Sequence, residues 1–233
     1  MPEFERDSKG RVVDIEHFRN MFKNRIKEPD RVYEANKEVI NKYKNILPKE
    51  LIYYWETYGF SSFLDGLYWL TNPDDYKELV EDYLEGTQFE NRKDIYVIAR
   101  SAFGQLYIWE PKKGNTLSLL SMMNMIFLSA DADRENFNKE EENYAMNRFI
   151  SINPKHCDED DASSKPLFHR ALKKLGKVEK NEMYGYKLSH FLGGKESIRN
   201  LEKMDLFNHY SIQKQLKEPT ISISDIENNT ITY

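Results

Sequence analysis

The segment from Tyr96 to Trp109 constrains the fold of this chain more than any other stretch. Two runs of aliphatic, β-branched and aromatic residues flank a short centre that contains Arg100 and Gly104. Such runs predict two buried strands joined by a tight connection. A buried charge without a partner is costly, so we expect Arg100 to pair internally with Asp65, Asp94 or a backbone carbonyl. Contact with a ligand or a partner protein is the alternative for this residue.

Capping signals and apolar periodicity place further elements in the first half of the chain. Helices are predicted at 14–23, 28–43, 48–59 and 72–84, where Asp14, Pro48 and Asn72 are typical helix-start residues. A hairpin over 60–70 is predicted to turn at Asp65-Gly66. Strands follow at 94–100, 104–110 and 116–121, with a turn at 113–115. The apolar segment 122–129 fits either a helix or a strand.

The second half has weaker signals. A charged helix is predicted at 134–149, a polar acidic linker at 155–165, and helices at 167–175 and 205–216. Glycines at 185, 193 and 194 are expected to divide the intervening stretch into strands and turns, and 221–226 and 230–232 alternate as strands do, with a turn at Asn228-Asn229. This order predicts an α+β fold: a mostly antiparallel sheet with N-terminal helices packed on it, and a smaller C-terminal α+β unit. All three tryptophans precede residue 110, so the larger core is expected in the first half.

Composition limits the classes of function. The net charge of −5 argues against direct binding of nucleic acid, because phosphates need Lys and Arg. The single cysteine, Cys157, cannot form an internal disulfide, which favours a reducing compartment. The N-terminus lacks the apolar core of a signal peptide, and the uncharged stretch 115–130 is too short to span a bilayer. We therefore expect a cytoplasmic protein with no membrane association.

Motifs for catalysis or cofactor binding are weak. The five histidines form no His-Glu-x-x-His pattern, and one cysteine excludes a zinc ribbon, so His156-Cys157-Asp158 is predicted to be a solvated loop and not a metal site. The segment 192–197 lacks two residues of a Walker A motif and fits a Gly-Gly turn better. Neither Gly-x-Gly-x-x-Gly nor Gly-x-Ser-x-Gly occurs. We expect no catalytic residue, no cofactor and no metal.

Two groups of residues are candidates for contact with a partner protein. Acidic runs are usually solvated faces, but against a nuclease they would occupy its phosphate-binding surface; they comprise Asp131, Asp133, Glu140, Glu141, Glu142, Asp158, Glu159, Asp160 and Asp161. The aromatic stripe Tyr53, Tyr54, Trp55 and Tyr58 is expected in the core, with some members shared with an interface.

Several motifs in order resemble a known family. The blocks Leu47-Pro48-x-x-Leu51-x-x-Tyr54-Trp55-x-x-Tyr58-Gly59-Phe60, Asp65-Gly66-Leu67-Tyr68-Trp69, Thr71-Asn72-Pro73 and Ala99-Arg100-Ser101-Ala102-Phe103-Gly104-x-Leu106-Tyr107-x-Trp109 resemble the GAD-like domain. Downstream, Leu175-Gly176, Glu182-Met183-Tyr184-Gly185-Tyr186, Leu192-Gly193-Gly194 and 201–216 resemble the C-terminal domain of type VI secretion immunity proteins that neutralise a DNase effector. The first block also resembles the wider SUKH immunity superfamily. Gln105 stands where the family pattern has an acidic residue, so no role is assigned to it.

The resemblance implies two domains and a binding function. A GAD-like domain is expected over 1–125 and the immunity C-terminal domain over 126–233, with its core at about 166–216. The implied function is neutralisation of a cognate antibacterial toxin, most simply a nuclease, by stoichiometric occlusion, with a monomer favoured. The alternative is a regulatory or scaffolding module that binds a host protein or a small ligand. The residues that carry the motifs are implied to be structural: Trp55, Gly59, Asp65, Gly66, Trp69, Arg100, Phe103, Gly104, Trp109, Tyr184, Gly185, Gly193 and Gly194.

Overall fold

The computed structural model of the protein describes residues 14–129, 136–225 and 230–232. Within these ranges the helices are α1 (Ile15–Ile26), α2 (Lys37–Tyr43), α3 (Lys49–Tyr58), α4 (Lys77–Leu84), α5 (Lys139–Ile150), α6 (Phe168–Leu175) and α7 (Leu206–Leu216). The strands are β1 (Ser62–Phe63), β2 (Tyr68–Leu70), β3 (Tyr96–Ser101), β4 (Gln105–Glu110), β5 (Gly114–Leu120), β6 (Met125–Leu128), β7 (Glu182–Tyr186), β8 (Leu201–Asp205), β9 (Thr220–Asp225) and β10 (Thr230–Thr232).

The main sheet is a meander to which the end of the chain is added. Its order is β1-β2-β3-β4-β5-β6-β9-β10, antiparallel throughout except where β9 lies parallel to β6. Strands β7 and β8 form a separate antiparallel pair. The α+β class and the mostly antiparallel sheet are therefore confirmed. The predicted Asn228-Asn229 turn lies outside the described residues.

Local capping chemistry explains most helix boundaries. The carboxylate of Asp14 accepts from the His17 amide at the start of α1, and that of Asp205 accepts from the Asn208 amide at the start of α7. Helix α5 begins with a capping box between Asn138 and Glu141. At the other end of a helix, Gly59 takes a positive φ of 68° and its amide closes α3 on the Trp55 carbonyl.

The predicted helix over 28–43 is wrong in its first half. Helix α2 begins only at Lys37, after the N-cap Asn36. Upstream, Asp30 and Arg31 run beside β1, and the Asp30 amide donates to the Ser62 carbonyl at 2.7 Å. The segment is not helical because Pro29 disfavours a helical conformation at the residue before it. The edge of the sheet then provides hydrogen-bond partners for the backbone groups that follow Pro29.

Three smaller predictions also need correction. The 113–115 turn lies earlier, because Gly114 already belongs to β5. The ambiguous segment 122–129 divides into a 3-10 turn ending at Asn124, which has φ 49°, and strand β6. Gly185 does not interrupt a strand but lies inside β7. In each case strand pairing decides between alternatives that local propensity leaves open.

The segment predicted as a linker, 155–165, is folded onto the core. Cys157, a member of this segment, is buried, and the Tyr107 hydroxyl lies 3.6 Å from the Cys157 sulfur. The Asp158 carboxylate accepts from the amides of Glu159 and Phe168 and so caps the start of α6. Polar side chains made the segment resemble a loop, but these carboxylates satisfy helix and turn amides that the sequence does not reveal.

One hydrophobic core joins the two halves of the chain. Trp55, Trp69 and Trp109 are buried in it together with residues from α6 and from β7. Helix α5 packs on α1 and α3, and the Arg25 guanidinium donates to the Ser151 carbonyl at 2.9 Å. The boundary near residue 125 stays a prediction, since burial and pairing cross it at several places.

Candidate functional site

Arg100 is buried and holds the two halves of the chain together. It is fully buried, and its guanidinium donates to the carbonyls of Ser101, Glu179 and Lys180 at 2.9–3.1 Å. It lies 4.2 Å from the Trp69 ring centroid, a cation–π distance. The expected internal pairing is thus with backbone carbonyls, and neither Asp65 nor Asp94 takes part.

The connection after Arg100 interlocks with the C-terminal half. Gly104 has φ 76°, and a Cβ placed there would lie 2.5 Å from Met183 Sδ. Its carbonyl accepts from the Tyr210 hydroxyl at 2.7 Å. Phe103 packs against Tyr184, with ring centroids 5.7 Å apart. This motif therefore positions β7 and α7 and forms no cavity of its own.

The other motif residues also make packing contacts and hydrogen bonds within the fold. Trp69 Nε1 donates to the Gly66 carbonyl at 2.7 Å, and the Asp65 carboxylate pairs with Lys177 at 2.7 Å. A side chain at Gly59, Gly185 or Gly194 would clash with a neighbour, respectively the Tyr33 carbonyl, Met204 and the Leu188 carbonyl, while Gly193 ends a 3-10 turn with positive φ. Trp55 packs edge-on against Phe60, and Trp109 against Phe149. In the aromatic stripe Tyr54 and Tyr58 are buried, and the Arg19 guanidinium covers Tyr53 at 3.6 Å.

A buried polar network that the sequence did not indicate lies at the base of α7. The Ser121 hydroxyl contacts His209 Nδ1, and His209 Nε2 lies 3.2 Å from Gln213, which exchanges hydrogen bonds with Ser189. Burial lowers the pKa of His209 to about 4. Ser121 has no solvent exposure, so this Ser-His pair joins elements and is closed to a substrate.

The acidic run on α5 is only partly available to a partner. Glu141 belongs to the capping box, and the Glu142 carboxylate accepts from the Lys112 amide at 2.6 Å and faces Trp109 Nε1 at 3.5 Å. Glu140 is exposed, and its side chain makes no hydrogen bond or ion pair with the described part of the chain. Asp131 and Asp133 lie outside the described residues.

The second acidic run, 158–161, is mostly committed to its own loop. Asp158 caps α6, and Asp161 accepts from the Ser163 and Lys165 amides and pairs with Arg170 at 2.6 Å. Burial raises the pKa of Glu159 to about 7, helped by the negative charges of nearby carboxylates. Asp160 is the exposed member of the run. The contact role of these acidic residues stays a prediction.

A well-formed groove lies between α4 and α7. It is a groove of about 540 Å³, within the usual range of ~300–1,000 Å³ for binding sites. Leu79, Tyr83 and Tyr210 are buried below it, with Phe207 partly exposed beside them. The rings of Tyr83 and Tyr210 pack edge-on with centroids 5.0 Å apart, and the Tyr83 hydroxyl donates to Asn124 at 2.9 Å. The floor is therefore aromatic and fixed in position.

The rim of this groove is acidic. Four exposed carboxylates line it: Glu78, Asp82, Glu85 and Glu218. None of them takes part in a side-chain hydrogen bond or ion pair within the described ranges. Lys214 is the single cation among the described lining residues, and its ammonium donates to the backbone carbonyls of Asp82 and Glu85 at the end of α4.

Sequence reasoning missed this groove, although part of its signal was present. Glu78, Asp82 and Glu85 follow i, i+4, i+7 spacing and so form one stripe along α4. Glu218 is brought to the same place by the packing of α7 on α4, which the sequence did not predict.

Other openings and site types are less distinctive. A second cavity of about 250 Å³ lies beside α2 and α4, where cations and carboxylates are mixed and Asp74 is already paired with Tyr43 at 2.7 Å. In the described parts of the chain no group of three His, Cys, Asp or Glu side chains is placed to hold a metal. The helices seen there are also too short or too polar to cross a membrane.

The fold is an α+β fold, and its groove combines a buried aromatic floor with a rim of exposed carboxylates. Residues 16–123 match the family model of the GAD-like domain, and residues 143–217 match that of the T6SS immunity protein Tdi1, C-terminal domain. Over these two ranges the chain is therefore similar to a GAD-like domain followed by the T6SS Tdi1 immunity C-terminal domain. The match supports an immunity function and suggests a non-catalytic role with a toxin as partner.

Structural comparison agrees on the fold. The crystal structure of Atu4351 from Agrobacterium tumefaciens superposes with a TM-score of 0.79 at 21% sequence identity, covering 91% of this chain and 96% of the other. At that identity the likeness concerns the fold alone. A search of the curated proteins gave no match.

Proposed function

We propose that this protein is a cytoplasmic immunity protein that binds a cognate nuclease toxin and neutralises it by stoichiometric occlusion. The observation that carries the proposal is the match of residues 143–217 to the immunity C-terminal domain, joined to a GAD-like domain in the same chain. The net charge of −5 supports it, because a nuclease that holds DNA phosphates presents a basic surface. Occlusion requires a preformed surface and no catalytic group.

Inhibition by occlusion depends on the rates of association and dissociation and not on a chemical step. A cell that makes the toxin must capture it at low concentration, so association has to be fast and dissociation slow. Complementary charge raises association rates by about 10–1,000-fold at low salt. A rigid fold with one core lowers the entropy lost on binding.

Co-expression tests the proposal directly. The nuclease toxin encoded beside this protein should kill a bacterial host when expressed alone and should be harmless when this chain is co-expressed. In vitro, plasmid cleavage should fall linearly with added protein and stop at a 1:1 molar ratio, as occlusion by a monomer requires. Survival without any physical complex would contradict occlusion.

Salt dependence separates the electrostatic part of the proposal from the rest. Raising NaCl from about 50 to 500 mM shortens the Debye length from roughly 14 to 4 Å and should slow association. Fast association that ignores salt would refute charge complementarity while leaving inhibition intact. Binding to a host regulatory protein, with no effect on the toxin, would favour the scaffolding alternative.

A further inference from the structure

We infer that the groove between α4 and α7 is where the toxin docks, and that its occupant is a lysine- and arginine-rich segment carrying an apolar anchor residue. This inference rests on the proposed function. It adds the location on this chain and the chemistry of the toxin segment, neither of which follows from an immunity role alone.

The shape of the groove suits an inserted side chain. Its floor is made by aromatic and aliphatic groups held in the core, and Phe207 packs on Tyr76 with centroids 5.6 Å apart. Two elements from different halves of the chain form its walls, and the Lys214 ammonium joins them through the Glu85 carbonyl at 2.6 Å. A preformed groove with an aromatic floor can receive an anchor residue of the kind that dominates binding energy.

The charge of the groove selects the occupant. None of its four rim carboxylates has a side-chain hydrogen bond or ion pair with residues 14–129, 136–225 or 230–232, whereas Glu142, Asp158 and Asp161 in the predicted runs accept hydrogen bonds from their own chain. The ammonium of Lys214 donates to two backbone carbonyls and forms no ion pair with a rim carboxylate. A basic segment would find unpaired carboxylates around an apolar floor.

The placement of two of these acids is unfavourable for the fold itself. Asp82 and Glu85 lie in and just beyond the last turn of α4, which contains no basic residue. Negative charge at a helix C-terminus opposes the helix dipole and usually costs stability, whereas Glu78 lies in the first turn, where negative charge is favoured. Charges that cost stability and have no side-chain partner among the described residues are expected where binding needs them.

The test compares two sets of neutralising substitutions with equal charge change. The groove variant carries Glu78→Gln, Asp82→Asn, Glu85→Gln and Glu218→Gln. The control carries four exposed carboxylates that neither line the groove nor belong to the predicted acidic runs: Glu34→Gln, Glu38→Gln, Glu56→Gln and Asp94→Asn. The probe is the purified, catalytically inactive nuclease domain of the toxin encoded beside this protein, and stopped-flow association, Kd and thermal unfolding are measured.

The groove variant should raise Kd by about 10- to 100-fold, mainly through slower association, while its thermal stability stays equal or increases. The control should bind within about threefold of wild type. Equal binding by the groove variant and wild type would overturn the inference, and so would an equal loss in the control. Neither result would affect protection by the wild-type chain, whereas failure of the wild type to bind or protect would refute the proposed function itself.

A steric variant tests the same groove without changing its charge. Ser211 lines the groove from α7, while Asn208 lies exposed on the same helix outside it. Ser211→Trp should abolish binding by filling the space, and Asn208→Trp should not. Binding of spermidine in the groove, with toxin affinity unchanged in Ser211→Trp, would assign the site to a small polycation and overturn the inference.

Discussion

Replacing Gly104 by alanine would place a Cβ atom 2.5 Å from Met183 Sδ and 2.7 Å from Met183 Cε. It would also impose a φ of 76° on a residue with a side chain. The conformational part costs about 1–2 kcal/mol, and overpacking of a filled core costs about 1–3 kcal/mol. We expect Gly104→Ala to lower the free energy of unfolding by about 2–5 kcal/mol.

Two other glycines separate these contributions. Gly86 and Gly176 have φ values of 77° and 76°, and a Cβ at either position meets nothing within 4 Å. Gly86→Ala and Gly176→Ala should therefore lose only the conformational part, about 1–2 kcal/mol. The difference between them and Gly104→Ala measures the cost of displacing Met183.

A double-mutant cycle completes the assay. Met183→Ala alone should cost about 2–5 kcal/mol because it empties a buried site. In that background Gly104→Ala no longer meets the sulfur, so the double variant should be about 1–3 kcal/mol more stable than the sum of the single effects. Urea unfolding followed by tryptophan fluorescence gives all four stabilities. Additive effects would refute the claim that this connection and β7 interlock.

Other parts of the structure give further predictions. Arg100→Lys cannot reach three carbonyls at once and should cost about 2–4 kcal/mol by urea unfolding, whereas an unchanged midpoint would contradict the hydrogen bonds described. Burial lowers the pKa of His209 to about 4, so between about pH 6.5 and pH 4 only the unfolded chain takes up a proton at this residue. The free energy of unfolding should therefore fall by about 3 kcal/mol as the pH drops through this range. The pKa of Glu159 is raised to about 7, so as the pH drops from about 7 to 4.5 the folded chain takes up this proton before the unfolded chain does. Protonation of Glu159 therefore increases the free energy of unfolding over this range. Glu159→Gln should therefore make the free energy of unfolding fall more steeply on acidification, and in His209→Gln it should rise instead. If both variants show the same pH profile of stability as the wild type, both pKa assignments are refuted. Burial raises the pKa of the Cys157 thiol to about 12, so iodoacetamide at pH 8 should label it only after unfolding, and rapid labelling of the native protein would contradict its burial.

Local sequence was a good guide where a boundary depends on nearby residues. Asp14 and Asp205 cap helices at the predicted starts, and Asn72 caps the 3-10 turn Pro73–Tyr76 that precedes α4, since a cap accepts from an amide two or three residues away. Strands β3 and β4 are also where the apolar runs predicted them, with Arg100 inside β3. The helix predicted to start at Glu28 failed because the partner of that segment is the edge of β1, thirty residues downstream.

The candidate site was much less accessible to sequence reasoning. Runs of consecutive acids are conspicuous, yet in 158–161 two of the four carboxylates cap amides or pair with Arg170. The stripe of acids along α4 could be found by helical spacing, but only its exposure and lack of partners show that it differs from any other solvated face. Both properties depend on what packs nearby.

The amino-acid sequence by itself determined the α+β class, the family motifs and the negative charge of this protein, because hydrophobic periodicity, caps and composition act over short distances or over the whole chain. Tertiary structure decided which carboxylates are free. It set Glu218 beside α4, buried Cys157 in a segment that looked like a linker, used Asp158 to cap α6, and gave Arg100 its three carbonyls. The physical reason is that a charged side chain is available to a partner only if its own fold leaves it unpaired, and pairing joins residues far apart in the chain.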